Sequence, residues 1–379
     1  MAASSVEPLQ SMDLLIKPTL DCNAKCIYCH SLKPVTRMSL ELVETIFRKW
    51  ALFCNKEGID ELSINWHGGE PMIMGASFYR GVLDLERRYF PNKSISHSMQ
   101  SNVCLYKGQL RDAVTDLVSG KAIGACLDPY HPTRLLPSGK DYYDQSIEGC
   151  LNLMNDGFAV NMIYVVHKKS LEVVREVYYF FRNLGVRNVL FHPLEEFQDP
   201  EYHLTPAEWG EFLERLWKVW EEDDFLLTIF PLSDWRDRIL HAAPIESCEH
   251  GEPRDNQLHM VISPEGDLYP CHRFQDKNLF PMGNIATTDF DEIVRHPSAH
   301  LLSDRKKNRE QVCPDCEFLP LCAGGCVATH DETGKTTWCE GLKAFFGFLK
   351  ERGMLEEMPA EAIPFDDRQC PHHGCQCEV

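Results

Sequence analysis

From residue 12 to about 235, short β-branched runs alternate with amphipathic stretches of helical period, and the alternation repeats six times. The strand candidates are Met12 to Leu20, Glu61 to His67, Ile95 to Asn102, Ala122 to Asp128, Val160 to His167 and Asn188 to Leu194. Between the first two, Ser39 is placed to cap a helix whose buried face is Leu42, Val43, Ile46, Phe47 and Trp50. Thr205, Pro206 and Glu208 read as cap, first-turn proline and capping-box acid of the sixth helix. Strand followed by helix, six times over, predicts an α/β fold with a parallel sheet, crossover helices and the outline of an open six-strand barrel. After about residue 240 the pattern turns to loops, short strands and cysteines. The expected organisation is therefore a barrel over 12–235, a cysteine-rich domain over 236–345, and a C-terminal helix and tail over 346–379.

In a parallel sheet of this kind the functional residues gather beyond the C-terminal ends of the strands. The unusual residues fall there. Cys22, Cys26 and Cys29 follow the first strand and Gly68-Gly69-Glu70-Pro71 the second; Gln100-Ser101-Asn102 and Asp128 end the third and fourth, and Pro193-Leu194-Glu195 ends the sixth.

Composition narrows the class. The chain has 379 residues, 25% charged, with no run of eighteen apolar residues and no basic, hydrophobic N-terminal stretch, so neither a membrane span nor a signal peptide is expected and the location is read as cytoplasmic. A formal charge of -19 disfavours nucleic acid and anionic membrane as partners. Seventeen cysteines without a secretory signal point to metal or redox chemistry rather than to disulfides.

Three thiolates in the run Asp-Cys-Asn-Ala-Lys-Cys-Ile-Tyr-Cys-His can hold three irons of a 4Fe-4S cluster and leave the fourth open, which suits a cluster that binds something else. Half of a zinc site is the alternative; structural zinc takes two short ligand pairs, and no partner pair follows at finger spacing. The second set comprises Cys248, Cys271, Cys313, Cys316, Cys322, Cys326 and Cys339, with Gly266 ahead of Cys271. Cys54, Cys104 and Cys150 read as structural thiols, and Cys370, Cys375 and Cys377 are left over in the tail Gln-Cys-Pro-His-His-Gly-Cys-Gln-Cys-Glu-Val.

The three-then-two spacing, with Tyr28 before the last cysteine, resembles the signature of the radical S-adenosylmethionine enzymes, and the second set resembles their SPASM extension. The likeness covers about residues 12 to 340. It implies a partial (β/α)6 TIM-like barrel, S-adenosylmethionine as cofactor, and three 4Fe-4S clusters, one on Cys22, Cys26 and Cys29 and two auxiliary. By resemblance Cys313, Cys316, Cys322 and Cys339 close one auxiliary cluster, while Cys248, Cys271 and Cys326 hold the other, whose last position falls to substrate, His250 or a tail cysteine. Gly68, Gly69 and Glu70 are then placed to hold the amino group of the cofactor's methionine, Asn102, Cys126 and Arg134 its ribose and carboxylate, and Tyr28 and Leu194 its adenine. Two departures stand out: cysteine at 126 where serine is usual, and Asp128-Pro129-Tyr130 where Asp-Gly-Pro is usual.

His272, directly after Cys271, stands where sulfatase-maturing members carry an aspartate that takes a proton from the substrate radical, and where several peptide cross-linking members carry histidine. On that ground the expected activity is oxidative carbon-carbon or thioether cross-linking of a ribosomally made peptide by a 5'-deoxyadenosyl radical, with flavodoxin or ferredoxin as electron donor. The alternatives are anaerobic sulfatase maturation, dehydrogenation of a small alcohol, and a noncatalytic iron-sulfur electron carrier. A carrier has no use for Gly68, Glu70 and an open cluster.

Overall fold

All six expected strands form in the computed structural model, which describes residues 9–29, 35–195, 197, 199–245, 247–250, 257–302, 309, 311–356 and 358. In chain order the main elements are β1 (Ser11–Ile16), α1 (Leu40–Glu57), β2 (Glu61–Trp66), α2 (Gly75–Tyr89), β3 (Ile95–Ser101), α3 (Gly108–Leu117), β4 (Ala122–Cys126) and α4 (Tyr143–Asn155). There follow β5 (Ala159–Val166), α5 (Val174–Leu184), β6 (Asn188–Pro193), α6 (Pro206–Glu222), β7 (Thr228–Phe230), α7 (Leu232–His241), β8 (Gln257–Ile262) and β9 (Leu268–Tyr269). The tail cysteines Cys370, Cys375 and Cys377 lie outside the described residues.

The chain divides into two compact units that do not follow chain order: Met1–Ala125 with Arg134–Ala159 and Arg254–Ser303, and Cys126–Thr133 with Val160–Pro253 and Asp304–Val379. In the first, β1 pairs in parallel with β2 on one side and β8 on the other, β2 with β3, and β3 with β4. With neighbours on both edges and helices over the faces, β1 is apolar nearly throughout, and Met12, Leu14, Leu15 and Ile16 are all buried. β9 turns back antiparallel on β8 through Gly266, whose φ of +89° suits a residue without Cβ. The parallel pairing of β8 with β1 carries no signal in the sequence of either strand, because a buried strand shows the same apolar run whichever neighbour it takes.

The first strand stops at Ile16 rather than Leu20, since Pro18 has no N–H to give a ladder; Lys17 makes the last backbone bond, to Ile262. Asp128 likewise falls two residues beyond β4, in a loop where its carboxylate accepts from Thr133 Oγ1 at 2.6 Å. The expected caps are present. Ser39 accepts from the Leu42 N–H, and α1 closes on Gly58 in the left-handed region.

In the second unit β5, β6 and β7 pair in parallel, and the loop after β4 joins them through the Leu127 N–H to Ile163 carbonyl bond. α6 opens with the expected capping box, Thr205 and Glu208 satisfying each other's backbone N–H. It packs on the C-terminal helix Cys339–Glu351. Gly210 and Gly341 let the two backbones meet, for a Cβ on Gly341 would lie within 1.8 Å of the Pro206 carbonyl oxygen.

Candidate functional site

In the first unit the cysteine loop begins six residues after β1. Cys26 to Cys29 forms a turn closed by the Cys29 N–H on the Cys26 carbonyl at 3.1 Å, which brings the paired thiols round a single corner. The Ala24 N–H points at the Cys22 sulfur at 3.4 Å, the kind of donor that stabilises a metal-bound thiolate. Burial pushes the free Cys22 thiol up to about 12, opposed by that N–H and reinforced by Glu70, Cys26 and Cys29. Three thiols that repel one another's charge form a donor set that a cationic cluster core would relieve. The chemistry of the loop therefore fits an iron-sulfur cluster.

The Gly-Gly run after β2 is what seats this loop. Gly69 and Glu70 donate their N–H groups to the carbonyls of Thr19 and Asp21, at 3.0 and 2.8 Å. A Cβ on Gly68 would stand 2.3 Å from the Thr19 oxygen, and one on Gly69 equally close to that of Asp21, so the two loops approach at a distance only glycine permits. The Glu70 carboxylate turns inward. It accepts from Met72 N–H at 2.9 Å, Ser101 Oγ at 2.8 Å and Asn102 N–H at 2.8 Å, so what Glu70 can offer a ligand is its backbone. Burial raises its pKa to about 7 against the pull of those three donors.

Asn102 joins the end of β3 to the cysteine loop, its side-chain amide donating to Asn23 at 2.7 Å. Arg134 lies over the Tyr28 ring at 5.3 Å, which brings together two residues 106 positions apart in sequence. Cys126 ends β4 and Leu194 follows β6, its N–H on the Val166 carbonyl; both belong to the second unit.

His272 opens a one-turn helix, His272–Asp276, with Cys271 as its cap and the Cys271 sulfur 3.8 Å from its Nδ1. Its ring stacks on that of His67, with centroids 5.6 Å apart. Burial, with His67, Lys17 and Arg273 adding to it, holds His272 well below the ordinary imidazole range. His67 sits at about 4 for the same first reason. Reasoning from sequence missed His67, although its place between β2 and Gly68 was a signal. Nearby, the buried Lys17 ammonium pairs with Asp276 at 2.8 Å.

In the second unit Cys313, Cys316, Cys322 and Cys339 line one small pocket, walled by Phe318 and Phe346. Burial pushes the Cys322 thiol up to about 12, and Cys339, Cys316 and Cys313 add to the shift. Cys326 does not line the cavity; it follows Gly324 and Gly325, both at positive φ. Of the remaining three, Cys248 and Cys326 belong to the second unit and Cys271 to the first. The His250 ring donates through Nδ1 to the Cys322 carbonyl at 3.2 Å.

Residues 254–317 match the SPASM family, an iron-sulfur cluster-binding domain. The chain is 25% identical over 364 residues to the cysteine-type anaerobic sulfatase-maturating enzyme of Clostridium novyi, covering 89% of this chain and 95% of that one. It is 27% identical over 352 residues to the serine-type enzyme of Klebsiella aerogenes, covering 88% and 84%. Among solved structures, native anSMEcpe with bound AdoMet and the Cp18Cys peptide superposes with a TM-score of 0.76 at 23% identity, over 91% of this chain and 98% of that one. Streptococcus suis SuiB bound to its precursor peptide SuiA gives 0.58 at 17% identity, over 86% and 75%. The fold is thus a partial (β/α)6 barrel followed by a SPASM domain. The SPASM match and the likeness to anaerobic sulfatase-maturating enzymes bear out the resemblance to the radical S-adenosylmethionine enzymes that carry an iron-sulfur SPASM domain.

Proposed function

We propose that this protein is an anaerobic sulfatase-maturating enzyme, which oxidises one cysteine or serine side chain of a sulfatase polypeptide to the aldehyde of formylglycine. The observation that carries the reading is the near full-length likeness, in both chains, to cysteine-type and serine-type enzymes of that activity. It replaces peptide cross-linking, the expectation drawn from His272, for which no comparison offers specific support. Cross-linking keeps one observation in its favour, the histidine itself.

When bound, S-adenosylmethionine and the first cluster supply the hydrogen-abstracting, one-electron chemistry. The protein's own residues do the rest. Cys22, Cys26 and Cys29 hold the first cluster, and Gly68 and Gly69 keep their loop against it while the backbone of Gly68 to Glu70 faces the cofactor's amino group. In the first unit Asn102 and Arg134 would take its ribose and carboxylate, with Tyr28 at the adenine. Cys313, Cys316, Cys322 and Cys339, which line one pocket, would hold an auxiliary cluster. His272 would receive the proton that the substrate's thiol or hydroxyl loses once the neighbouring carbon has given up a hydrogen atom, the remaining electron passing to an auxiliary cluster; its position beside Cys271 supports this role. A small flavoprotein or ferredoxin supplies the electron.

The test is incubation of the reconstituted protein, under dithionite and with S-adenosylmethionine, with sulfatase peptides that differ only in carrying Cys or Ser at the target position. The expected product is an aldehyde captured by a hydrazide and located by fragment mass spectrometry. A peptide that loses hydrogen without gaining a hydrazide-reactive carbonyl would instead establish cross-linking.

A further inference from the structure

We propose that His192, Glu195 and Glu249, at the C-terminal end of β6 in the second unit, form a binding site for one divalent cation of mixed nitrogen and oxygen preference, of the Mn²⁺ or Fe²⁺ type. Their ligand atoms all lie within 4.8 Å of one another, and they come from two segments far apart in sequence. Each side chain is half-buried, with about a fifth of its surface exposed.

Two features of geometry distinguish a cation site from an ordinary ion pair. The first is the tautomer. His192 Nδ1 lies 2.9 Å from the Pro193 carbonyl, which only accepts, so Nδ1 carries a hydrogen and Nε2, on the side of the two carboxylates, is the nitrogen the neutral ring offers to a cation. Metal-ligating histidines are commonly oriented in this way. The second is distance. His192 Nε2 stands 3.4 Å from Glu249 Oε1 and 3.9 Å from Glu195 Oε1, wider than a direct hydrogen bond. Donors bound about 2.0–2.2 Å from one ion sit roughly 3–3.6 Å apart, so the Glu249 oxygen already stands at that spacing and the Glu195 oxygen has to close in to reach it. His250, its Nδ1 on the Cys322 carbonyl, has Nε2 at 3.9 Å from the other Glu249 oxygen. One imidazole with carboxylates selects borderline-to-hard ions rather than the soft ions that thiolates take.

The full chain with its clusters rebuilt serves for the test, and Mn²⁺ is the probe because it leaves cysteine-rich segments alone. Bound ion is counted from the loss of the free Mn²⁺ electron paramagnetic resonance signal; oxidised 4Fe-4S clusters are diamagnetic and do not overlap it. Wild-type protein should take up one ion per chain, and His192→Gln and Glu195→Gln should each weaken binding about tenfold or more at unchanged iron content. Glu249 is left alone, because it adjoins Cys248. Absence of uptake by the wild type, or equal uptake in all three proteins, overturns the proposal. Should both variants lose iron, the wild type still decides: imidazole nitrogen coupling in the pulsed spectrum of bound Mn²⁺ supports the site, and its absence overturns it.

Discussion

Gly69 has no room for a side chain, and this is the most exposed dependence of the first-cluster loop. A methyl there would meet backbone oxygens of Leu20 and Asp21, which cannot swing aside as a side chain would. Gly69→Ala should therefore displace the loop and lower reconstituted iron by about four atoms per chain, one cluster, measured against a sulfide assay. His167 gives a prediction of another kind. It is fully buried in the second unit, and burial, partly offset by Asp128, lowers its pKa to about 4. A folded state that refuses the proton loses stability as pH falls from 6.5 toward 4, because the unfolded chain binds it first. The share is on the order of 3 kcal/mol at full development. His167→Gln should flatten the fall in melting temperature across that window, and an unchanged slope would count against this assignment.

At the scale of elements, the crossing of α6 and the C-terminal helix rests on two glycines. Cβ atoms at Gly210 and Gly341 would each strike backbone of the facing helix. Overpacking of this kind costs about 1–3 kcal/mol when a core can shift, and here the obstacle is main chain. Gly341→Ala should lower the melting temperature, and it should also disturb the cavity lined by Cys339, at the start of the same helix. The local signals along these elements are legible in the amino-acid sequence. The Ser39 cap, the Thr205 to Glu208 capping box and the strand-helix alternation are set by neighbours within four residues. The ends of β1 and β4 are less so, since a strand stops where its ladder partner stops, and the partner lies elsewhere in the chain.

For the whole molecule, ten cysteines at three sites predict about twelve irons per chain after anaerobic reconstitution, if every cluster is 4Fe-4S. Replacing Cys313, Cys316, Cys322 and Cys339 together with alanine should remove about four of them while S-adenosylmethionine cleavage persists. Replacing Cys22, Cys26 and Cys29 should do the reverse and abolish 5'-deoxyadenosine formation. No helix among the described residues is long and apolar enough to cross a membrane. The acidic surface, with a net charge of -19, accords with a polypeptide substrate that is neutral or basic.

The sequence by itself determined the succession of elements, the cysteine spacing and with it the class of cofactor, because a cluster loop is a local object whose ligands lie within eight residues. It also marked the strand ends where function would gather. Tertiary structure alone decided that the Glu70 carboxylate faces the core, that Gly69 serves the cysteine loop, that His67 stacks on His272, and that β8 returns to pair with β1. It alone brought Glu249 to His192. Each of these joins residues distant in the chain, and such contacts are fixed by packing and backbone hydrogen bonding, which no periodicity within one segment records.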